Sequence, residues 1–124
     1  MLDGYLYAIG GEDGPWVHRS VERFDPATNT WSPVADMVIC RKYAGICLFC
    51  SINTYFYIKW LIYFAKGVVT HGGLLYVVGG DDLTTEDLNS MEVYNPTTNT
   101  WLMHPIPMGI GRSFAGIALI DRPF

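Results

Sequence analysis

Leu75-Tyr76-Val77-Val78-Gly79-Gly80 decides the fold, because the same phrase stands earlier in the chain as Leu6-Tyr7-Ala8-Ile9-Gly10-Gly11. Each run is apolar and β-prone, and each stops at a glycine pair that permits backbone conformations a Cβ would block. Working outward, Ser90-Met91-Glu92-Val93-Tyr94-Asn95-Pro96 repeats Ser20-Val21-Glu22-Arg23-Phe24-Asp25-Pro26. Thr98-Asn99-Thr100-Trp101 repeats Thr28-Asn29-Thr30-Trp31, and Arg112-Ser113-Phe114-Ala115-Gly116-Ile117 repeats Arg41-Lys42-Tyr43-Ala44-Gly45-Ile46. Gly11 to Gly80 is 69 positions, Trp31 to Trp101 is 70 and Gly45 to Gly116 is 71. So small a drift is ordinary loop variation in an internal repeat.

Each unit reads as short strands divided by turns. Leu74 to Val78 is one strand, and His71-Gly72-Gly73 before it supplies the positive φ of a tight hairpin. Ser90 to Tyr94 is the third strand and Thr100 to Met103 the fourth. Between them Pro96 fixes φ early in a turn and Asn99 tolerates the left-handed region. The fold class is all-β: a sandwich, a barrel or a propeller. Two segments compete for the first strand of the second unit, residues 46–49 and residues 67–70. The second is expected to pair, because closing a short hairpin costs less entropy than spanning the stretch between them.

Composition narrows the function. Half of the 124 residues are hydrophobic and 15% are aromatic, enough for a core, while only 16% are charged, which argues against disorder. The net charge is −4 and there is no basic run to neutralise phosphates, so nucleic acid is not expected as a partner. Three cysteines include one lone C-x-x-C, Cys47 and Cys50, with no second pair. No N-x-S/T acceptor occurs, and the N-terminus lacks the basic and apolar regions of a signal peptide. These features favour a cytoplasmic setting. His18, His71 and His104 have no partners at metal-ligand spacing, and no nucleophile elbow, H-E-x-x-H or Walker pattern occurs, so no metal, cofactor or enzymatic activity is expected.

A glycine pair after a β run, then an aromatic, then a Trp seven residues later resembles the kelch signature. Here it is Gly10-Gly11, Phe24 and Trp31, and again Gly79-Gly80, Tyr94 and Trp101. The Arg-x-aromatic-Ala-Gly-Ile segment and the Asx-Pro-x-Thr-Asn-Thr-Trp turn are similar to BTB–kelch proteins, nearest the ring-canal kelch and actin-binding subgroup. The resemblance implies about two four-stranded blades of an incomplete β-propeller. Residues 1–45 are the first blade, without its own first strand, residues 67–111 the second, and residues 112–124 a closing strand. It implies a C-terminal fragment of a longer protein, with BTB and BACK domains upstream. It implies a protein-binding module, either the substrate-recognition part of a cullin-RING ubiquitin ligase or an actin-binding, cytoskeleton-associated protein. Kelch-fold copper oxidases form a third class, but their paired Tyr and His ligands cannot be assembled from this chain.

Family spacing puts about twelve residues between the Ala-Gly and the Gly-Gly; Gly67 to Gly79 fits, whereas Gly45 lies 34 positions before Gly79. Residues 46–66 are therefore extra. A membrane span fits their length, but Lys59 near its middle costs roughly 2.5–3.5 kcal/mol, and a span would divide one blade across the bilayer. A true insertion this apolar would be an aggregation hazard. The favoured reading is a translated intron: the segment is rich in residues with AT-rich codons, and its removal restores the spacing.

Residue by residue, Trp31 and Trp101 are expected as core anchors between blades, with Phe24, Tyr94 and the four glycines structural. Trp16, Tyr43, Arg41, Asp81, Asp82, Arg112 and Phe114 form the candidate partner-binding set. Arg41 and Arg112 are weighed further toward a buried or capping guanidinium than toward partner contact. The resemblance places Tyr43, Phe114 and the loops after the glycine pairs around a central opening where partner peptides dock. Those loops, Glu12 to Trp16 and Asp81 to Asp87, are acidic, which suits a basic or hydroxyl-bearing partner or simply a solvated surface; Trp16 is the expected contact anchor.

Overall fold

A computed structural model describes residues 4–43, 68–113 and 117. The apolar stretch 46–66, with Cys47 and Cys50, the opening Leu2-Asp3, Phe114 and most of the expected closing strand lie outside the described residues.

Strands of the first repeat are β1 (Leu6–Ile9), β2 (Glu12–Asp13), β3 (Trp16–Val17), β4 (Val21–Asp25) and β5 (Thr30–Pro33). Those of the second are β6 (Val68–His71), β7 (Leu74–Val78), β8 (Met91–Asn95) and β9 (Thr100–Met103). The first blade is a three-stranded antiparallel sheet in the order β1-β4-β5, and the second a four-stranded one in the order β6-β7-β8-β9. Among the described residues every element is a β-strand, and each repeat forms its own antiparallel sheet, the blade that the sequence led one to expect.

Local chemistry explains the joints. His71 faces Leu74 across a two-residue turn whose Gly72 and Gly73 have φ of 57° and 75°, the mirror-image hairpin turn expected of consecutive glycines. Val68–His71 is thus the first strand of the second blade, as the sequence led one to expect; its rival, 46–49, lies outside the described residues. The β8–β9 turn is closed by Asn95 Oδ1, which accepts from the Thr97 and Thr98 amides at 2.9 and 3.4 Å, while Asn99 sits at φ 52°. Asp25 and Asn29 occupy the equivalent places, with Asn29 at φ 55°. The glycine pairs are needed for close approach. A Cβ at Gly10 would collide with the Arg41 carbonyl, and one at Gly79 with that of Arg112.

One core lies between the blades. Pleating puts alternate residues on opposite faces, so β1 and β4 turn Tyr7, Ile9 and Val21 toward the second blade. It answers with Leu75, Val77, Tyr94 and Trp101 from the facing side of its sheet, and Met37 fills the seam. Tyr7 and Tyr94 meet edge to face with ring centroids 5.8 Å apart. Trp101 stacks at 5.0 Å on Tyr94 and donates its Nε1–H to the Ala35 carbonyl at 2.8 Å.

The same faces explain a correction. Trp31 was expected in a core between blades, but it is 52% exposed whereas Trp101 is 7% exposed. Trp31 and Phe24 pair at 5.1 Å on the face of the first blade opposite Tyr7 and Ile9, and among the described residues no sheet covers that face. Position within a repeat sets which way a side chain points; a neighbouring blade sets whether it is buried.

Candidate functional site

Two adjoining sets of polar residues sit where the first blade hands over to the second. The inner set is buried. Arg41 follows the first blade and reaches into the second, where its Nε donates to Glu92 Oε1 at 3.0 Å. One terminal nitrogen donates to the Gly79 carbonyl at 2.6 Å and the Ser90 carbonyl at 3.3 Å, the other to Ser90 Oγ at 2.8 Å. Glu92 also accepts the Val38 amide at 2.5 Å and the Ile39 amide at 3.3 Å. Both side chains are fully buried, so the ion pair is isolated from water and satisfied by hydrogen bonds on both sides. Burial pushes the Arg41 guanidinium below its ordinary pKa, with Glu92 pulling the other way. Arg41 therefore takes the structural role of its two, and its burial removes it from the partner-binding set.

The outer set is solvent-facing. Lys42 pairs with Asp81 through both backbone amides, Lys42 N–H to Asp81 O at 2.8 Å and Asp81 N–H to Lys42 O at 3.1 Å. Its ammonium stands 3.5 Å from Glu12 and 3.9 Å from Asp81, and 5.1 Å from the centroid of the Tyr43 ring. Tyr43 donates its hydroxyl to Glu12 at 3.0 Å, from a backbone held at φ 56°. The two loops after the glycine pairs are thus tied side by side. Desolvation works against the Lys42 charge, but Asp81, Tyr43 and Glu12 outweigh it and hold the pKa above its ordinary value. The hydrogen bond to Glu12, with that carboxylate's charge, raises Tyr43.

Trp16 stands at the edge of this cluster. The loop that carries it is a small hairpin, β2 with β3, in which Asp13 faces Trp16 across Gly14-Pro15. Gly14 takes φ 56°, as the first centre of such a turn requires. The ring is 67% exposed. The second loop is built differently: Asp82 Oδ1 accepts the Thr84 and Thr85 amides, both at 2.6 Å, and the Thr84 hydroxyl at 3.0 Å. Its partial burial raises the carboxyl pKa, but those three bonds prevail and the net shift is downward.

The structure brings Tyr43, Asp81 and Asp82 together with Trp16's hairpin. Arg112 is exposed at the far side of the second blade, and Phe114 lies outside the described residues. Sequence reasoning missed Lys42 and Glu12 as site residues. The signal was available: Lys42 is flanked in space by acidic loops that the repeat alignment makes neighbours, and the corresponding position in the second repeat is Ser113. Among the described residues no group of three His, Cys, Asp or Glu side chains gathers as a metal site would, and no helix is long and apolar enough to cross a membrane.

Asp87 offers a pH test. It accepts the Ser113 amide at 2.7 Å and the Ser113 hydroxyl at 2.5 Å, and these bonds hold its pKa below the ordinary carboxylate value. A depressed folded-state pKa contributes stability above the unfolded pKa and loses it as pH falls through the folded one. Asp87→Asn keeps an acceptor oxygen and suits the φ of 56° at this position. Melting temperatures between about pH 2 and 6 are expected to fall less steeply for this variant than for the native chain. Parallel curves would show that Asp87 carries none of the acid limb.

Known proteins carry the same repeat. The kelch motif model covers residues 1–38 and 64–103. Mouse Kelch-like protein 35 is 29% identical over 97% of this chain, and an F-box/kelch-repeat protein of Arabidopsis thaliana is 35% identical over 81% of it; in each case the match spans 17% of the relative. Alpha-scruin of Limulus polyphemus is 30% identical over 98% of the chain and 11% of its own length. With repeat, glycine pairs and blade topology agreeing, the chain belongs to the kelch-repeat family, whose blades form protein-binding modules.

Proposed function

We propose that this chain is the substrate-binding part of a ubiquitin ligase of the BTB–kelch type, holding a protein segment on the rim formed by the Glu12–Trp16 and Asp81–Asp87 loops. The observation that carries the binding site is the exposed Trp16 ring beside a cluster whose lone ammonium among the described residues, Lys42, is already engaged by Glu12 and Asp81. Asp13 and Glu86 add exposed carboxylates on the same two loops. Such a rim suits a segment with Lys or Arg side chains and an aliphatic or aromatic residue to cover the indole. Relatives named as kelch repeat and BTB domain-containing proteins support the ligase reading, among them a human one 44% identical over 62 residues. The F-box/kelch relatives share the kelch part, so recognition is the role assigned here and the upstream domain is the part that would engage the cullin.

The test joins binding to ubiquitin transfer. A basic partner segment is expected to bind more weakly as salt rises, and Trp16→Ala to cost about 1 kcal/mol or more of binding. The full-length protein is expected to co-precipitate a cullin and to direct ubiquitin onto the bound partner. Salt-independent binding, or a Trp16→Ala variant that binds as tightly as the native chain, contradicts the rim. Failure to capture a cullin contradicts the ligase reading alone.

A further inference from the structure

The Lys42 ammonium has the chemistry of the group that the rim is proposed to hold, and it already stands between the two loops. Glu12 lies 3.5 Å from it and Asp81 3.9 Å, with the Tyr43 ring centroid at 5.1 Å. Two carboxylates and an aromatic face are what a Lys or Arg side chain of a bound segment would also seek. The internal cation shows that the loops are spaced to take one.

That cation is loosely held. Both carboxylate distances exceed the roughly 2.7–2.9 Å of a tight charge-assisted hydrogen bond. The Lys42 side chain is 23% exposed and that of Glu12 40%, so a partner's side chain can reach both. Lysine also swings on a flexible four-carbon stem, whereas the neighbouring Arg41 is fixed by its bonds to Glu92, Gly79 and Ser90.

The loops do not depend on the ammonium. Lys42 and Asp81 are joined through both backbone amides, at 2.8 and 3.1 Å. Tyr43 donates its hydroxyl to Glu12 Oε1 at 3.0 Å, while Lys42 faces Oε2, so the two do not compete. With the amine gone, these bonds would still hold Glu12 and Asp81 in place, released from their internal cation.

We propose that Lys42 is a built-in competitor: its ammonium occupies the Glu12–Asp81 part of the rim and is displaced by a cationic side chain of the bound segment, so the native chain binds basic segments more weakly than its loops allow. This inference rests on the rim reading above.

The test is a fluorescence-anisotropy titration of the full chain with a labelled hexapeptide of alternating arginine and leucine. Lys42→Met is expected to bind it about fivefold more tightly than the native chain. Lys42→Arg, which keeps a cation in place, is expected to bind no more tightly than native. In a Glu12→Gln background the amide still accepts from Tyr43 but carries no charge, and the gain from Lys42→Met is expected to shrink to about twofold or less. With citrulline in place of arginine, a neutral near-isostere, Lys42→Met and the native chain are expected to bind alike. No gain with Lys42→Met, a gain that survives Glu12→Gln in full, or an equal gain for the citrulline peptide would each overturn the proposal. So would a Lys42→Met chain that melts well below the native one, since the ammonium would then be a clamp. Trp16→Ala in the same titration separates the two readings. If it weakens binding while Lys42→Met leaves it unchanged, the rim stands and the competitor falls. If it binds like the native chain, the rim reading fails and takes the competitor with it.

Discussion

Arg41→Ala is expected to destabilise the protein by about 3–5 kcal/mol, because it leaves the Glu92 carboxylate buried without its counter-ion. The same change strips donors from the Gly79 and Ser90 carbonyls at 2.6 and 3.3 Å. Net stabilities of domains are about 5–15 kcal/mol, so such a loss removes much of the folded population. Replacing both partners, Arg41→Met with Glu92→Leu, is expected to cost less than the two single changes summed, since a buried pair exchanged for apolar groups is often close to neutral. Chemical denaturation of the three variants measures this. Single changes that cost under about 1 kcal/mol would mean the pair is hydrated in solution and does not join the blades.

Trp101→Ala and Trp31→Ala are expected to differ sharply although their repeats are nearly identical. Trp101 is buried, stacked on Tyr94 and bonded to Ala35, so truncation leaves a cavity and an unpaired carbonyl at a cost of roughly 3–5 kcal/mol. Trp31 is half exposed and among the described residues stacks on Phe24 alone, so its truncation is expected to cost under about 1 kcal/mol. Equal losses would show that the Trp31 face is covered in solution.

Much of the fold was legible because the repeat writes it twice. Gly72-Gly73 and Asn99 act through local backbone geometry, which needs no knowledge of the rest of the molecule. Burial was not legible in the same way. Trp31 and Trp101 share a motif, as do Arg41 and Arg112, yet one of each pair is buried and the other exposed, since the deciding contact comes from a different sheet. The candidate rim was half legible. Tyr43, Asp81 and Asp82 were named from the loops that carry them, but Lys42 was passed over: its importance comes from Glu12 and Asp81, 30 and 39 positions away in sequence, meeting at its ammonium. The β2–β3 hairpin was signalled by Asp13-Gly14 and read only as an acidic loop.

The division of labour between scaffold and rim is the centre of this account, and a thermal melt and a binding isotherm on the same samples test it most directly. Trp16→Ala is expected to melt like the native chain and to lose partner affinity by about fivefold or more. Trp101→Ala is expected to melt well below it. If Trp16→Ala binds unchanged, or melts as early as Trp101→Ala, the indole belongs to the scaffold and the rim proposed here is not where the partner docks.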